Sequence, residues 1–375
     1  PAMAVHDEPL HILFFPFLAS GHLIPIADMA ALFAGRGVRC TILTTPVNAA
    51  IIRSAVKRAN DAFAGTGFLP RGDSAPGAIR PVPGRPPHRR CRVRQLLPLR
   101  SFGEVFNSFH ELEPDYVEHF NKTLSRRVWL VGPVALASKD MAVRGTDAPS
   151  PDADSCIRWL DAKPAGSVVY VSFGTLTKFA PAELHQLARA LDLSGVNFVW
   201  VIGTAAGQDS AEWMPEGFAD LIAHGDRGFL IRGWAPQMLI LSHAALGGFV
   251  THCGWNSVLE AVSAGVPMVT WPRYADQFNN EKLVVELLKV GVSIGAKDYA
   301  SGIEAHEVIA GEVIAESIQR LMESDAIQKK AKDLGEKARR AVEKGGSSYD
   351  DVGRLMDVLT ARRSSVEVGQ DIQAS

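Results

Sequence analysis

Short apolar runs alternate along this chain with stretches whose apolar positions recur every three to four residues. His11–Pro16 (HILFFP) reads as a buried strand, and His22–Gly35 carries helical periodicity. Arg39–Thr44 follows as a second strand and Val47–Ala62 as a second helix. Farther on, Ser167–Phe173, Phe198–Ile202, Gly228–Ile231, Leu246–Val250 and Pro267–Thr270 are apolar runs of strand length with helical patterns between them. Continuous apolar runs suit strands covered on both faces, and strands alternating with helices build parallel sheets. From about Glu304 the pattern is purely helical to about Leu359, and the polar tail after Arg362 is expected to fray. The pattern predicts an α/β protein of two doubly wound halves.

A joint between the halves is expected at Ala137–Asp154, which is polar, contains proline and has little apolar content. The length of 375 residues agrees with two or three domains of roughly 150 residues each. Lys and Arg number 39 against 41 Asp and Glu, so no overall basic charge points to nucleic acid. Hydrophobic residues at 47% and charged residues at 21% exclude a mostly disordered chain. Cys40, Cys91, Cys156 and Cys253 form no CxxC pair, which disfavours a disulfide scaffold or zinc finger and fits a reducing compartment. No run approaches the roughly 18 apolar residues of a membrane span, and no positive region precedes the first apolar run. The expectation is a cytoplasmic protein.

Thr66–Arg100 breaks the pattern, with eight Arg, seven Pro, no Lys and one acid, Asp73. It has no useful strand or helix period, and such a loop inside a compact domain counts against ordered structure. It can be read as an arm for nucleic acid or an acidic partner, as an unstructured insert, or as sequence never selected to fold here, such as a misread or mis-spliced junction. The third reading is preferred.

Candidate chemistry is densest between Trp234 and Gln277. The strand Leu246–Val250 runs into Thr251, His252, Cys253, Gly254, Trp255, Asn256 and Ser257, and a helix follows to about Ala264. A strand, small polar turn and helix aim free backbone N–H groups at an anion, and His252 can donate to a phosphate. Asn256 and Ser257 are equally suited to capping the helix. Trp234 sits in a loop after a strand, where its ring can stack on a base; a core Trp is the plainer reading. Glu260, one turn into the helix, can accept from ribose hydroxyls. Asp276 and Gln277 suit paired sugar hydroxyls or ordinary N-capping.

Together, WAPQ…LSH…GGFVTHCGWNS…E…AGVP…P…DQ resembles the 44-residue signature box of plant family-1 UDP-glycosyltransferases, spanning Trp234 to Gln277. Further matches are PFLASGH (Pro16–His22), NSFHELEPDY (Asn107–Tyr116), VGPVAL (Val131–Leu136) and WLDAKPAGSVVYVSFGTL (Trp159–Leu176). They cover roughly Leu10–Gly65 and Gly103–Leu359, with a flavour close to the branch that glucosylates phenolics and flavonoids.

The resemblance implies the GT-B fold, two Rossmann-like halves facing across a cleft. It divides the chain into an N-terminal acceptor-side half over 1–136, with an aberrant junction over 66–102, and a linker over 137–154. A UDP-sugar half over 155–345, a terminal helix over 346–362 packing back on the first half and a disordered tail over 363–375 complete it. Trp234, beside Ala235, would stack on uracil, and Gln237 and Glu260 would hold the ribose. His252, Asn256, Ser257 and Thr175 would contact the pyrophosphate, with Gly254 and Trp255 in the same turn. Asp276 and Gln277 would grip the sugar, and the terminal Gln favours glucose. His22 would be the general base of an inverting displacement, with Phe17, Ser20 and Gly21 on the acceptor side. His22 lies at a helix start, where the dipole disfavours imidazolium and keeps the ring able to accept a proton. The expected partners are UDP-glucose and a small acceptor, acting on a monomer with no metal, no further cofactor and no nucleic acid.

The family also carries a carboxylate, usually Asp, that orients the catalytic His about a hundred residues later. No residue here matches it, and Asp115 belongs to a different motif. After Gly65 the family pattern stops, resuming near Gly103. Two readings follow: an active glucosyltransferase with an altered acceptor side, or an impaired UDP-sugar-binding remnant. The first two strands are expected to pair with the strand near Val105–Ser108. A nicotinamide enzyme is disfavoured, because the first turn reads Phe17-Leu18-Ala19-Ser20-Gly21-His22 and holds no GxGxxG.

Overall fold

The computed structural model describes residues 10–17, 19–63, 102–124, 127–137, 144, 151–202, 213–223, 227–302 and 306–373. The Arg/Pro-rich junction expected over 66–102 lies outside the described residues except for Phe102, as does most of the stretch read as a linker.

In the C-terminal half the apolar runs become strands: β5 (Val168–Ser172), β6 (Asn197–Ile202), β7 (Gly228–Arg232), β8 (Leu246–Thr251), β9 (Met268–Thr270) and β10 (Gly291–Ser293). They form one sheet in the order β10-β9-β8-β5-β6-β7, and every pairing is parallel. β5 and β8 are buried along their whole length. Alternate side chains of each strand enter opposite cores: Val168 and Tyr170 lie in one, Val169 and Val171 in the other. Helices cover both faces. α5 (Pro181–Leu193) and α10 (Gly311–Glu323) pack on one side, α8 (Trp255–Ala264) and α11 (Asp325–Val342) on the other. Ser324 caps α11 by accepting the Ile327 N–H at 3.4 Å.

The N-terminal half holds β1 (His11–Phe14), α1 (Ser20–Ala34), β2 (Arg39–Ile42) and α2 (Pro46–Phe63), then β3 (Glu104–Phe106), α3 (Pro114–Leu124) and β4 (Val128–Leu130). β1 pairs with β2, with His11 opposite Arg39, and β3 pairs with β4, with Glu104 opposite Val128. The expectation that the first two strands would join the one near Val105 is therefore corrected, since β3 takes β4 instead. β4 is only three residues long, too short for its period to stand out, and the apolar Val128, Trp129 and Leu130 bury it against the last helix.

That last helix, α12, spans Ser347–Gln373 and crosses back to the N-terminal half. The Leu130 N–H donates to Asp351 Oδ2 at 2.9 Å, and Val352 and Leu355 are buried with Phe14, Phe33 and Val131. Arg36 lays its guanidinium 3.8 Å from the Tyr349 ring centre. The helix continues past Arg362, where fraying is expected, because no proline interrupts it. α4 (Pro151–Asp161) likewise begins inside the stretch read as linker, with proline at its first position.

Candidate active site

In the order β10-β9-β8-β5-β6-β7 the order of winding reverses between β5 and β8, with β6 and β7 added on one side of β5 and β8 to β10 on the other. Ligands of open α/β sheets bind outside the carboxyl ends of strands at such a point. Ser172 ends β5 and Thr251 ends β8, and the turns after them bring Thr175, His252 and Gly254 together. A cavity of about 320 Å³ opens there and is closed from the opposite side by the start of α1.

This cavity gathers nearly all the residues singled out from the sequence. His22, Gly21, Thr175, Trp234, Ala235, Gln237, His252, Gly254, Trp255, Asn256, Ser257, Glu260, Asp276 and Gln277 all line it. Phe17 and Ser20 do not. Phe17 is largely exposed and meets the His22 ring edge-on at 5.3 Å, and Ser20 opens α1.

The plainer readings of several residues fail on geometry. α8 begins after Gly254 with no side-chain cap, so its first-turn N–H groups face the cavity end of the helix without one. Asn256 Nδ2 donates across the cleft to the Gly21 carbonyl at 2.5 Å, and Ser257 Oγ accepts from Gln237 Nε2 at 3.2 Å. Asp276 makes no cap bond either; its Oδ2 accepts from Asn280 Nδ2 at 2.8 Å. Gln277 Oε1 accepts the backbone N–H groups of Arg273 and Tyr274 at 2.8 and 3.1 Å, which fixes the amide and leaves its NH₂ to donate.

Two glycines make room for His252. A Cβ on Gly174 would lie 2.8 Å from the ring, and one on Gly254 would lie 2.5 Å from Nε2. Gly174 also has φ +71°, which any side chain would strain. Burial pushes the His252 pKa down to about 4, against a smaller opposing pull from Asp276, so the ring is neutral. His252 Nδ1, Trp234 Nε1 and Thr177 Oγ1 are buried polar atoms without a protein partner, and all three residues line this cavity. Three of the seven such atoms among the described residues thus belong to this cavity, and buried polar groups are normally satisfied, so its lining can offer them to a polar ligand.

Several cavity residues escaped the sequence reading, among them Thr177, Tyr170 and Arg144. Tyr170 sits in an apolar strand, yet its hydroxyl donates to Gln237 Oε1 at 3.3 Å, and burial pushes its pKa up. Arg144 is a lone base in a polar stretch, and no local signal identifies it. It donates from Nε to Asp28 Oδ2 at 2.7 Å and from Nη1 to Glu260 Oε1.

Comparison with known proteins agrees with this architecture. The family model for UDP-glucoronosyl and UDP-glucosyl transferases matches residues 97–323. Scopoletin glucosyltransferase of Nicotiana tabacum is 34% identical, covering 95% of this chain and 99% of the relative. Anthocyanin 3'-O-beta-glucosyltransferase of Gentiana triflora is also 34% identical, covering 94% and 99%. The alignment to the tobacco enzyme runs over 478 residues, 103 more than the whole chain has. Among solved structures, Glycyrrhiza uralensis UGT73P12 complexed with glycyrrhetinic acid 3-O-monoglucuronide superposes with a TM-score of 0.82 at 29% identity, covering 98% of this chain and 99% of that one. Arabidopsis thaliana UGT89C1 complexed with UDP-L-rhamnose gives 0.70 at 28% identity, covering 94% and 99%. The architecture is thus GT-B. A family match across more than half the chain, joined to relatives aligned nearly end to end, settles its lineage: the chain belongs to the UDP-glucoronosyl and UDP-glucosyl transferases and is a glycosyltransferase.

Proposed function

We propose that this chain transfers glucose from UDP-glucose to a hydroxyl of a small phenolic acceptor, with inversion at the anomeric carbon. The observation that carries this reading is the cavity at the β5–β8 reversal, where three orphaned polar atoms and an uncapped helix start face His22 across the cleft. The names of the plant glucosyltransferase relatives support the donor and the acceptor class.

In this mechanism Trp234 stacks on the uracil and Glu260 accepts from the ribose hydroxyls. Asp276 and the Gln277 amide hold the glucose. His22, in the first turn of α1, takes the proton from the acceptor hydroxyl as its oxygen attacks the anomeric carbon. The bond from that carbon to the β-phosphate oxygen breaks, and UDP leaves with the electron pair. Charge growing on the pyrophosphate meets the start of α8 and the neutral His252, which gains basicity beside an anion and can donate to it. The protein would act as a monomer in the cytoplasm.

The separate β1–β2 and β3–β4 ladders favour keeping the second reading in view, a chain that binds UDP-sugar with little transfer. In a serine-protease triad, losing the orienting acid lowers kcat about 10⁴-fold. Transfer from UDP-glucose to a panel of phenols, with UDP binding measured by calorimetry in parallel, separates the two. Product with an inverted linkage supports the first reading. Binding without transfer to any acceptor leaves the second, and absence of UDP binding removes both.

A further inference from the structure

Arg144 is the one described residue between Ala137 and Pro151, and its side chain is 11% exposed. It stands between two carboxylates from different halves of the molecule: Asp28, on α1 six residues after His22, and Glu260, on α8. Burial opposes its charge, but Glu260 and Asp28 outweigh that effect and push its pKa up, so it is a permanent cation in the cleft.

Its position matters most for Glu260. Arg144 Nη1 donates to Oε1 of this carboxylate, and Gln237 Nε2 donates to Oε2 at 2.7 Å. Gln237 is itself held by the Tyr170 hydroxyl and by Ser257. Both oxygens of Glu260 are therefore anchored, one from the linker and one from within the C-terminal half. Each oxygen retains a second lone pair, which is what two neighbouring hydroxyls require. Without Arg144, the buried carboxylates of Asp28 and Glu260 would lose the donor they share, and Glu260 would lose the anchor on Oε1 and turn away.

We propose that Arg144 is a positioning residue for the donor site: it holds the Glu260 carboxylate aligned for the ribose hydroxyls, and ties the helix of His22 to the helix that receives the pyrophosphate. This rests on the UDP-sugar reading above. The alternative is that Arg144 merely occupies the place of the ribose, in which case removing it should tighten nucleotide binding.

Calorimetric titration of the full chain with UDP and with 2'-deoxy-UDP tests this, using wild type, Arg144→Ala and Arg144→Lys, with thermal melts recorded for each. The wild type should prefer UDP by at least about 10-fold, the lower range for a hydrogen bond to a charged group. Arg144→Ala should weaken UDP binding about 10-fold or more and leave a preference under about 3-fold, while Arg144→Lys restores part of it. General loosening would weaken both nucleotides equally and keep their ratio. An unchanged ratio in Arg144→Ala, or tighter UDP binding by it, overturns the proposal. If Arg144→Ala does not fold, Arg144→Lys decides: a ratio narrowed several-fold supports the role, and an unchanged one sinks it. A wild type that binds neither nucleotide removes the donor-site reading itself, a result distinct from a wild type that binds both equally.

Discussion

The two halves of this molecule solve the same packing problem to different extents. The C-terminal half seats β5 and β8 in the middle of a six-stranded parallel sheet, buried from end to end. Among the described residues, the N-terminal half has the same kind of strands in two ladders of two. Leu13 is 61% exposed and Phe15 80%, and β2 and β3 have no fully buried position. A parallel strand is stable when neighbours pair its edges and helices cover its faces, and a two-stranded ladder supplies little of either. The C-terminal half thus closes its own core, and the N-terminal half leans on α12, which returns from the C-terminal end to bury Phe14, Phe33 and Trp129. In one of these parallel folds, position in the sheet decides burial more than composition does.

The sharpest way to break this comparison is through function. His22→Ala, in the N-terminal half, should lower transfer by about 10²–10⁴-fold, the usual weight of a general base. UDP affinity should stay within about 2-fold, because the donor contacts belong to the other half. A parallel fall in UDP binding would mean that the halves are not separable.

Stability offers the next contrast. Phe249 is fully buried in β8 and stacks against Tyr170 with ring centres 5.1 Å apart. Phe249→Ala should lower the free energy of unfolding by about 3–5 kcal/mol, while Leu13→Ala should change it by about 0.5 kcal/mol or less. Urea denaturation reads both, and a large effect at Leu13 would show that β1 is better covered than its exposure indicates.

Acid titration tests the C-terminal half alone. The His252 pKa is held down to about 4 from 6.5 by burial. An unfolded chain therefore takes up a proton below pH 6.5 that the folded one refuses until about pH 4. The contribution is fully present above pH 6.5 and is lost as pH falls toward 4, by at most about 3 kcal/mol. His252→Gln should flatten that part of the stability profile; an equally steep loss in the variant would assign the slope to other groups.

Among the cavity residues the smallest expected effect is at Trp234. Trp234→Ala should weaken UDP binding by about 1–3 kcal/mol through lost stacking, and transfer should fall with it. Because His22→Ala spares UDP binding and Trp234→Ala does not, the pair maps each function onto its half.

Much of this was legible along the chain. Buried parallel strands are unbroken apolar runs, so Ser167–Phe173 and Leu246–Val250 showed themselves, and β5 and β8 lie inside them. The turn from Thr251 to Ser257 was legible because a strand, a small turn and a helix are contiguous, and their chemistry is local. β4 and β10 were not: each is three residues long, and their place in a sheet comes from pairing with β3 and β9. Tyr170 was hidden by its apolar neighbours, since only the approach of Gln237 gives its hydroxyl a purpose.

By itself, then, the sequence determined the α/β class, five of the six strands of the C-terminal sheet, the family and the residues that gather at the cavity. All of these are written in local periodicity or in contiguous motifs. The tertiary structure alone decided which strands pair, that β1–β2 and β3–β4 form separate ladders, and that Arg144 joins Asp28 to Glu260. Each of those partners lies 116 residues from Arg144 in opposite directions. Contacts over such separations depend on how sheets and helices bring distant segments together, and no local pattern encodes them.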